Sequence, residues 1–145
     1  VPQSYNVSMM TNKERGDRSE AAFTLTLVKY GYTVLTPIGQ NHRYDVVIEW
    51  NDGSFKKVQC KTGRLEREGT VLVFNACSNP WGLKRTNYRG QADYFGVYCP
   101  EIDRSFLIPV GDAGVSSMQL RLGETKNNQQ KGVRFAKDYE LNPKP

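Results

Sequence analysis

Two β-rich runs joined by a four-residue turn leave this chain few ways to begin folding. Residues 44–50 read Tyr-Asp-Val-Val-Ile-Glu-Trp, residues 51–54 read Asn-Asp-Gly-Ser, and residues 55–62 read Phe-Lys-Lys-Val-Gln-Cys-Lys-Thr. Apolar and β-branched runs on either side of a short Gly-containing turn predict a hairpin. Side chains alternate along a strand, so Gln59 and Lys61 share one face while Cys60 points to the other. With Asp45 at the mouth of the first run, an acid, an amide oxygen and a cation converge at one sheet edge. Oxygen donors beside a cation are equipment for holding Mg²⁺ against a phosphodiester. The same residues also suit the wet outer face of an ordinary hairpin.

Around this hairpin the pattern predicts one main helix and several further strands. Residues 16–30 read as a helix, with Asp17 and Glu20 at capping-box spacing and Gly31 as the stop. Ala21, Leu25 and Val28 form an apolar stripe, which Phe23, Leu27 and Tyr30 broaden. Residues 32–36 read as a short strand before Pro37. Residues 70–76 read as a strand whose continuous apolar core fits burial on both faces. Residues 94–99 and 105–110 form a second hairpin, and residues 117–122 an edge strand. Residues 77–90 read as a long, irregular polar loop broken at Asn79-Pro80. Beyond Gly123 the tail is polar, with a short helix at residues 133–139. The order of elements predicts an α+β fold, a mixed central β-sheet with the one main N-terminal helix packed on it.

At 145 residues the chain is the length of one domain. The sequence opens on Val rather than Met, and residues 1–12 are read as a disordered or vector-derived lead-in, leaving residues 13–145 as a single domain. No stretch approaches the roughly 18 uninterrupted apolar residues of a membrane helix, and no signal-peptide pattern is present. Three cysteines, Cys60, Cys77 and Cys99, lack metal-site spacing and read as reduced residues of a cytosolic protein. A cysteine nucleophile would need the single His42, and no cysteine-enzyme signature surrounds either residue.

The formal net charge is +5. Basic residues fall in four groups, at 13–18, 64–67, 84–89 and 126–134, interleaved with Asn, Gln and aromatic residues. Cations serve phosphates, whereas Asn, Gln and Arg serve base edges, so the distribution favours nucleic acid over four unrelated basic loops.

Several segments then carry a resemblance in order along the chain: Gly-Asp-Arg-Ser-Glu-Ala at 16–21, Arg-Tyr-Asp at 43–45, Val-Gln-Cys-Lys-Thr-Gly-Arg at 58–64, and Ala-Asp-Tyr-Phe at 92–95. Val-Tyr-Cys-Pro-Glu at 97–101, Lys-Asn-Asn-Gln at 126–129 and Ala-Lys-Asp-Tyr at 136–139 continue it. The sequence resembles the PD-(D/E)xK nuclease superfamily, and more narrowly its small group I intron-associated, homing-type endonucleases. The resemblance implies a restriction-endonuclease-like core and phosphodiester hydrolysis with Mg²⁺, for which Mn²⁺ can substitute. The family's helix acid falls on Glu20, its strand acid on Asp45 and its lysine on Lys61. Its second metal-site acid is Gln59 here, a departure that the narrower group shares and that leaves the number of metals open. An amide oxygen still coordinates Mg²⁺ without adding charge.

On that reading Asp45 and Gln59 bind metal, the Cys60 carbonyl adds a third oxygen, and Glu20 reaches the metal through water or, alternatively, only caps its helix. Lys61 orients the attacking water and offsets transition-state charge. Arg64, Arg67, Lys84, Arg85, Asn87, Tyr88 and Arg89 are candidate DNA contacts, with packing on the sheet the alternative for Tyr88. The expected partner is double-stranded DNA in the prokaryotic or phage-infected cytoplasm, met by a homodimer or homotetramer, with no membrane and no organic cofactor. The leading function is a site-specific double-strand DNA endonuclease of homing type. A Holliday-junction resolvase is the alternative within nucleases; a non-cleaving DNA-binding module or a protein-binding accessory protein is the alternative outside them.

Overall fold

The computed structural model describes residues 9–78, 86–125 and 131–145. Its one α-helix among the described residues, α1 (Asn12–Lys29), begins four residues before the position expected from sequence. Thr11 supplies the cap: its Oγ1 accepts from Glu14 N at 3.2 Å while Glu14 Oε2 accepts from Thr11 N at 3.1 Å. Thr11 and Glu14 have the same spacing as Asp17 and Glu20, so the chain holds two capping boxes in competition. The earlier one wins because it gains a further turn of helix at the cost of one interior glycine, Gly16, about 1 kcal/mol relative to Ala. Asp17, displaced from the cap, takes Lys13 Nζ at 2.9 Å. Gly31 ends the helix as expected. Its φ is +92°, and Gly31 N and Tyr32 N donate to Val28 O and Leu27 O, a Schellman pair.

The helix buries Ser19, Phe23 and Leu27, spaced four apart. The stripe of Ala21, Leu25 and Val28 instead faces outward, with Leu25 58% and Val28 56% exposed. Both faces carry apolar residues, so period alone did not choose between them; the larger Phe23 went inside.

The principal sheet has five strands in the order β1 (Thr33–Leu35), β2 (Val46–Glu49), β3 (Phe55–Thr62), β8 (Tyr94–Cys99) and β9 (Arg104–Pro109). All neighbours are antiparallel except β3 and β8, which makes the sheet mixed. The β2–β3 hairpin forms as expected. Gly53 turns at φ +83°, and Asp52 Oδ1 accepts from both Ser54 N and Ser54 Oγ. A second sheet of three antiparallel strands runs in the order β10 (Ser117–Arg121), β5 (Val71–Asn75) and β4 (Arg64–Glu66). Residues Val71 to Phe74 of β5 are all buried, as their unbroken apolar run predicts.

Two cores result, one on each face of the principal sheet. Phe23, Leu27, Val46, Ile48, Val58 and Leu141 fill the space beneath α1. Leu72, Phe74, Phe95, Val97, Phe106 and Leu120 fill the space between the two sheets. Gly96 lets α1 lie close to β8: a Cβ there would stand 2.5 Å from Phe23 Cε1.

The two described ends of the segment expected as an irregular loop pair with each other, as the short strands β6 (Cys77–Ser78) and β7 (Thr86–Asn87). Lys84 and Arg85 lie outside the described residues. The short helix expected at residues 133–139 is one 3₁₀ turn, Ala136–Asp138. The tail then binds back along the fold, Leu141 N to Ser105 O and Lys144 N to Tyr30 O, which supplies hydrogen bonds that a helix would otherwise provide. All three cysteines are free; Cys99 is buried, whereas Cys60 and Cys77 are half-buried. Among the described residues no helix is long and apolar enough to cross a membrane.

Candidate active site

The alternation along β3 decides which of its side chains meet. Val58 and Cys60 pack beneath α1. Gln59 and Lys61 fall on the opposite face, in parallel register with Phe95 and Val97 of β8. Asp45 sits just before β2, and its backbone N donates to Val58 O at 2.9 Å. That bond fixes the carboxylate against β3, where Oδ2 accepts from Cys60 N at 2.8 Å. Gln59 lies alongside, with Nε2 3.4 Å from Cys60 O. Thus the carboxylate of Asp45, the amide of Gln59 and the carbonyl of Cys60 gather around the backbone of one residue, Cys60. The Cys60 thiol meanwhile packs in the core, and burial, followed by the negative charges of Asp45 and Glu20, pushes its pKa well up. It is therefore no nucleophile.

Glu20 reaches the same neighbourhood from α1. Ser19, one residue before it, is buried and its hydroxyl accepts from Thr62 Oγ1 at 2.7 Å, which ties the helix to the strand beside Lys61. Burial raises the Glu20 pKa, and the charges of Asp45 and Asp17 raise it further. Glu20 is well inside the helix, so the capping role that would have explained it structurally belongs to Glu14. Burial also raises the pKa of Asp45, opposed by the Cys60 N–H and by the charge of Lys61.

Two carboxylates held where ionisation is opposed make a place that gains from a cation. Among the described residues no group of three or more His, Cys, Asp or Glu side chains is placed to hold a metal. The donor set here is different: two carboxylates, an amide oxygen and a backbone carbonyl. All are hard oxygen donors, which fit Mg²⁺ or a similar divalent ion.

Lys61 is half-buried, and its Nζ donates to Cys77 O at 3.2 Å and to Tyr88 Oη at 3.3 Å. Tyr88 is only 5% exposed and meets Phe95 edge-on at 5.6 Å. An enclosed ring cannot enter a DNA groove, so the expectation of a DNA contact gives way to the packed alternative. Arg43 belongs to the Arg-Tyr-Asp motif at 43–45 but has no role assigned from sequence; its guanidinium lies 3.9 Å over the Tyr88 ring. Nothing in its own residue type separates it from the other arginines.

Among the described residues the other candidate DNA contacts are dispersed. Arg64 pairs with Glu66 at 3.2 Å on the exposed face of β4. Asn87 and Arg89 are exposed at the β7 end, with Asn87 Oδ1 accepting from Arg89 N. Arg67 stands at the β4–β5 turn with φ +51°, beside a concavity of about 680 Å³ also lined by Arg121 and Arg134. None of Glu20, Asp45, Gln59 and Lys61 lines that concavity.

A family model described as PD-(D/E)XK endonuclease matches residues 10–142. The chain belongs to the PD-(D/E)XK endonuclease family. Among solved structures it is similar to that of a bacterial homing endonuclease, I-Ssp6803I, at 28% identity and a TM-score of 0.68, covering 90% of this chain and 89% of that one. A comparison with curated proteins gives no match. As a PD-(D/E)XK endonuclease the chain is a nuclease, and family membership implies a DNA substrate and a divalent metal ion.

Proposed function

We propose that this PD-(D/E)XK endonuclease is a site-specific double-strand DNA endonuclease of homing type, hydrolysing a phosphodiester with Mg²⁺. The observation that carries the reading is the Asp45 carboxylate pinned to the Cys60 N–H at 2.8 Å, with Gln59 beside it and Glu20 coupled to it from α1. Asp45, Gln59 Oε1 and Cys60 O would hold the metal directly, and Glu20 through a water. Bound there, the divalent ion supplies charge against the scissile phosphate and acidifies a water.

The remaining work falls to this chain's own groups. Asp45 fixes the position of the oxygen cage because its other oxygen is tied to the strand backbone. Gln59 needs only a rotation of its amide to turn oxygen rather than nitrogen toward the cage. Lys61 presents an ammonium where negative charge grows on the phosphorane-like transition state, and hydrogen-bonds the incoming water. Asp45, Gln59 and Lys61 sum to no formal charge, so the metal-free site holds a phosphate poorly.

Double-strand scission is simplest with two such sites related by symmetry, which favours a homodimer or homotetramer. The single domain expected over residues 13–145 extends back to Thr11, which caps α1, and the expected compartment is the cytoplasm of the host cell. The test is cleavage of duplex libraries in Mg²⁺, Mn²⁺ and chelator, with the ends sequenced and a four-way junction run in parallel. Ends at one recurrent duplex sequence, absent in chelator, support the reading. Cleavage confined to the junction transfers the enzyme to the resolvases, and binding with no scission in any metal reduces it to a DNA-binding module.

A further inference from the structure

Lys61 ends in a flexible four-carbon stem, and a lysine that acts on one water must be held in one place. Its hydrogen bonds to Cys77 O and Tyr88 Oη use two of the three ammonium donors and leave the third for water or phosphate. The ammonium also lies 4.7 Å from the Tyr88 ring centroid. Tyr88 is itself immobilised, edge-on against Phe95, the β8 residue paired in register with Gln59.

Arg43 completes the arrangement. It lies two residues before Asp45. Its Nε donates to Gln91 Oε1 at 2.6 Å, Nη1 to Ser78 Oγ at 2.8 Å and Nη2 to Asn87 O at 2.9 Å, while the guanidinium plane covers Tyr88. Its fork thus joins the chain that carries Asp45 to both paired strands β6 and β7 and to the turn after Tyr88. Every one of these acceptors is neutral, so the arginine is a geometric staple more than an ion-pair partner.

We propose that Tyr88 and Arg43 are positioning residues of the nuclease: Tyr88 holds the Lys61 ammonium, and Arg43 fastens Tyr88 and strands β6 and β7 to the backbone that leads into Asp45. The Lys61 ammonium is thereby tied to the Asp45 backbone through Tyr88 and Arg43, in addition to the β3 bonds that hold the Asp45 carboxylate. This rests on the endonuclease reading of Lys61 given above.

The test combines single-turnover cleavage with lysine labelling. Tyr88→Phe keeps the ring, its packing and its arginine contact, and removes only the hydroxyl. Its kcat should fall about tenfold, with KM for DNA changing less than about twofold, the pattern of a contact needed in the transition state. Combined with Lys61→Met, the same change should cost less than about twofold, because a residue acting through Lys61 has nothing left to position. Arg43→Lys keeps the charge without the fork, and should lose rate as Arg43→Ala does. Reductive methylation of the resting protein, read by mass spectrometry, gives a measure independent of cleavage. Lys61 should react severalfold more slowly than exposed Lys29 in the wild type, and Tyr88→Phe should remove most of that protection.

Wild-type kcat in Tyr88→Phe, a full additive loss on Lys61→Met, or unchanged labelling would overturn the proposal. If Lys61→Met leaves no measurable rate, labelling decides. A wild-type protein that cleaves no DNA sinks the endonuclease reading, while labelling still reports on the staple.

Discussion

The two carboxylates at the site sit where their surroundings oppose charge, and this has a consequence for stability as well as for chemistry. A carboxyl whose pKa is raised in the folded state binds its proton more tightly there than in the unfolded chain. Protonation therefore favours folding. The metal-free protein should lose stability as pH rises from the ordinary carboxyl values, 3.8 for Asp45 and 4.5 for Glu20, through their raised ones. Asp45→Asn removes one of these charges and keeps an oxygen for the Cys60 N–H. At neutral pH without metal it should melt above wild type, and the difference should vanish below pH 3.8; an unchanged melting temperature at pH 7 would count against a disfavoured charge. Under the proposed assignment the same substitution abolishes cleavage in Mg²⁺ while DNA affinity largely survives. For Glu20 the competing structural explanation has gone, since Thr11 and Glu14 make the cap. Glu20→Gln should slow cleavage roughly tenfold, about 1.4 kcal/mol of transition-state stabilisation, and raise the Mg²⁺ needed. Identical kinetics across a Mg²⁺ titration would remove Glu20 from the metal site.

Between elements, the decisive contact is the seating of α1 on β8 at Gly96. The helix brings Glu20 to the strand acid only because Phe23 lies against a residue with no side chain. Gly96→Ala would place a methyl 2.5 to 2.9 Å from three atoms of the Phe23 ring, and overpacking of this kind costs about 1–3 kcal/mol. Denaturation in urea should show that loss. Cleavage should fall beyond what unfolding explains, because the helix must tilt or slide away from the site. Phe23→Leu in the same chain should recover stability, since it removes the ring that clashes. A Gly96→Ala protein as stable as wild type would mean that α1 is seated by other contacts. The Ser19–Thr62 hydrogen bond, 2.7 Å and part-buried, ties α1 to the neighbouring strand β3 as well.

At the scale of the whole molecule, the arginines among the described residues are spread rather than gathered at the chemistry. Arg67, Arg121 and Arg134 face one concavity, while Arg64 and Arg89 lie on other exposed edges. Arg64 pairs with Glu66 in an exposed contact worth at most about 1 kcal/mol, so a phosphate can displace it cheaply. If these arginines neutralise backbone phosphates, log K for duplex binding should fall with log salt by about 0.9 per phosphate neutralised. Arg67→Ala should lower affinity and shallow that slope by about one such step, leaving the single-turnover rate at saturating protein unchanged. A slope near zero would make the charge of +5 incidental to function.

Local signals in the sequence were enough for the β2–β3 hairpin, the β8–β9 hairpin, the buried β5, the Gly31 stop and the α+β class, because turn chemistry and side-chain alternation act over a few residues. The ordered motifs likewise identified the family and nominated Glu20, Asp45, Gln59 and Lys61. Tertiary structure chose between options that local rules left equal: which of two capping boxes starts α1, and which of its two apolar faces is buried. It also turned Tyr88 inward and brought Arg43 over it, 45 positions away in the chain. No periodicity encodes that meeting. It arises from the pairing of β6 with β7 and the parallel alignment of β3 with β8, contacts whose energy exists only once distant segments have closed on one another.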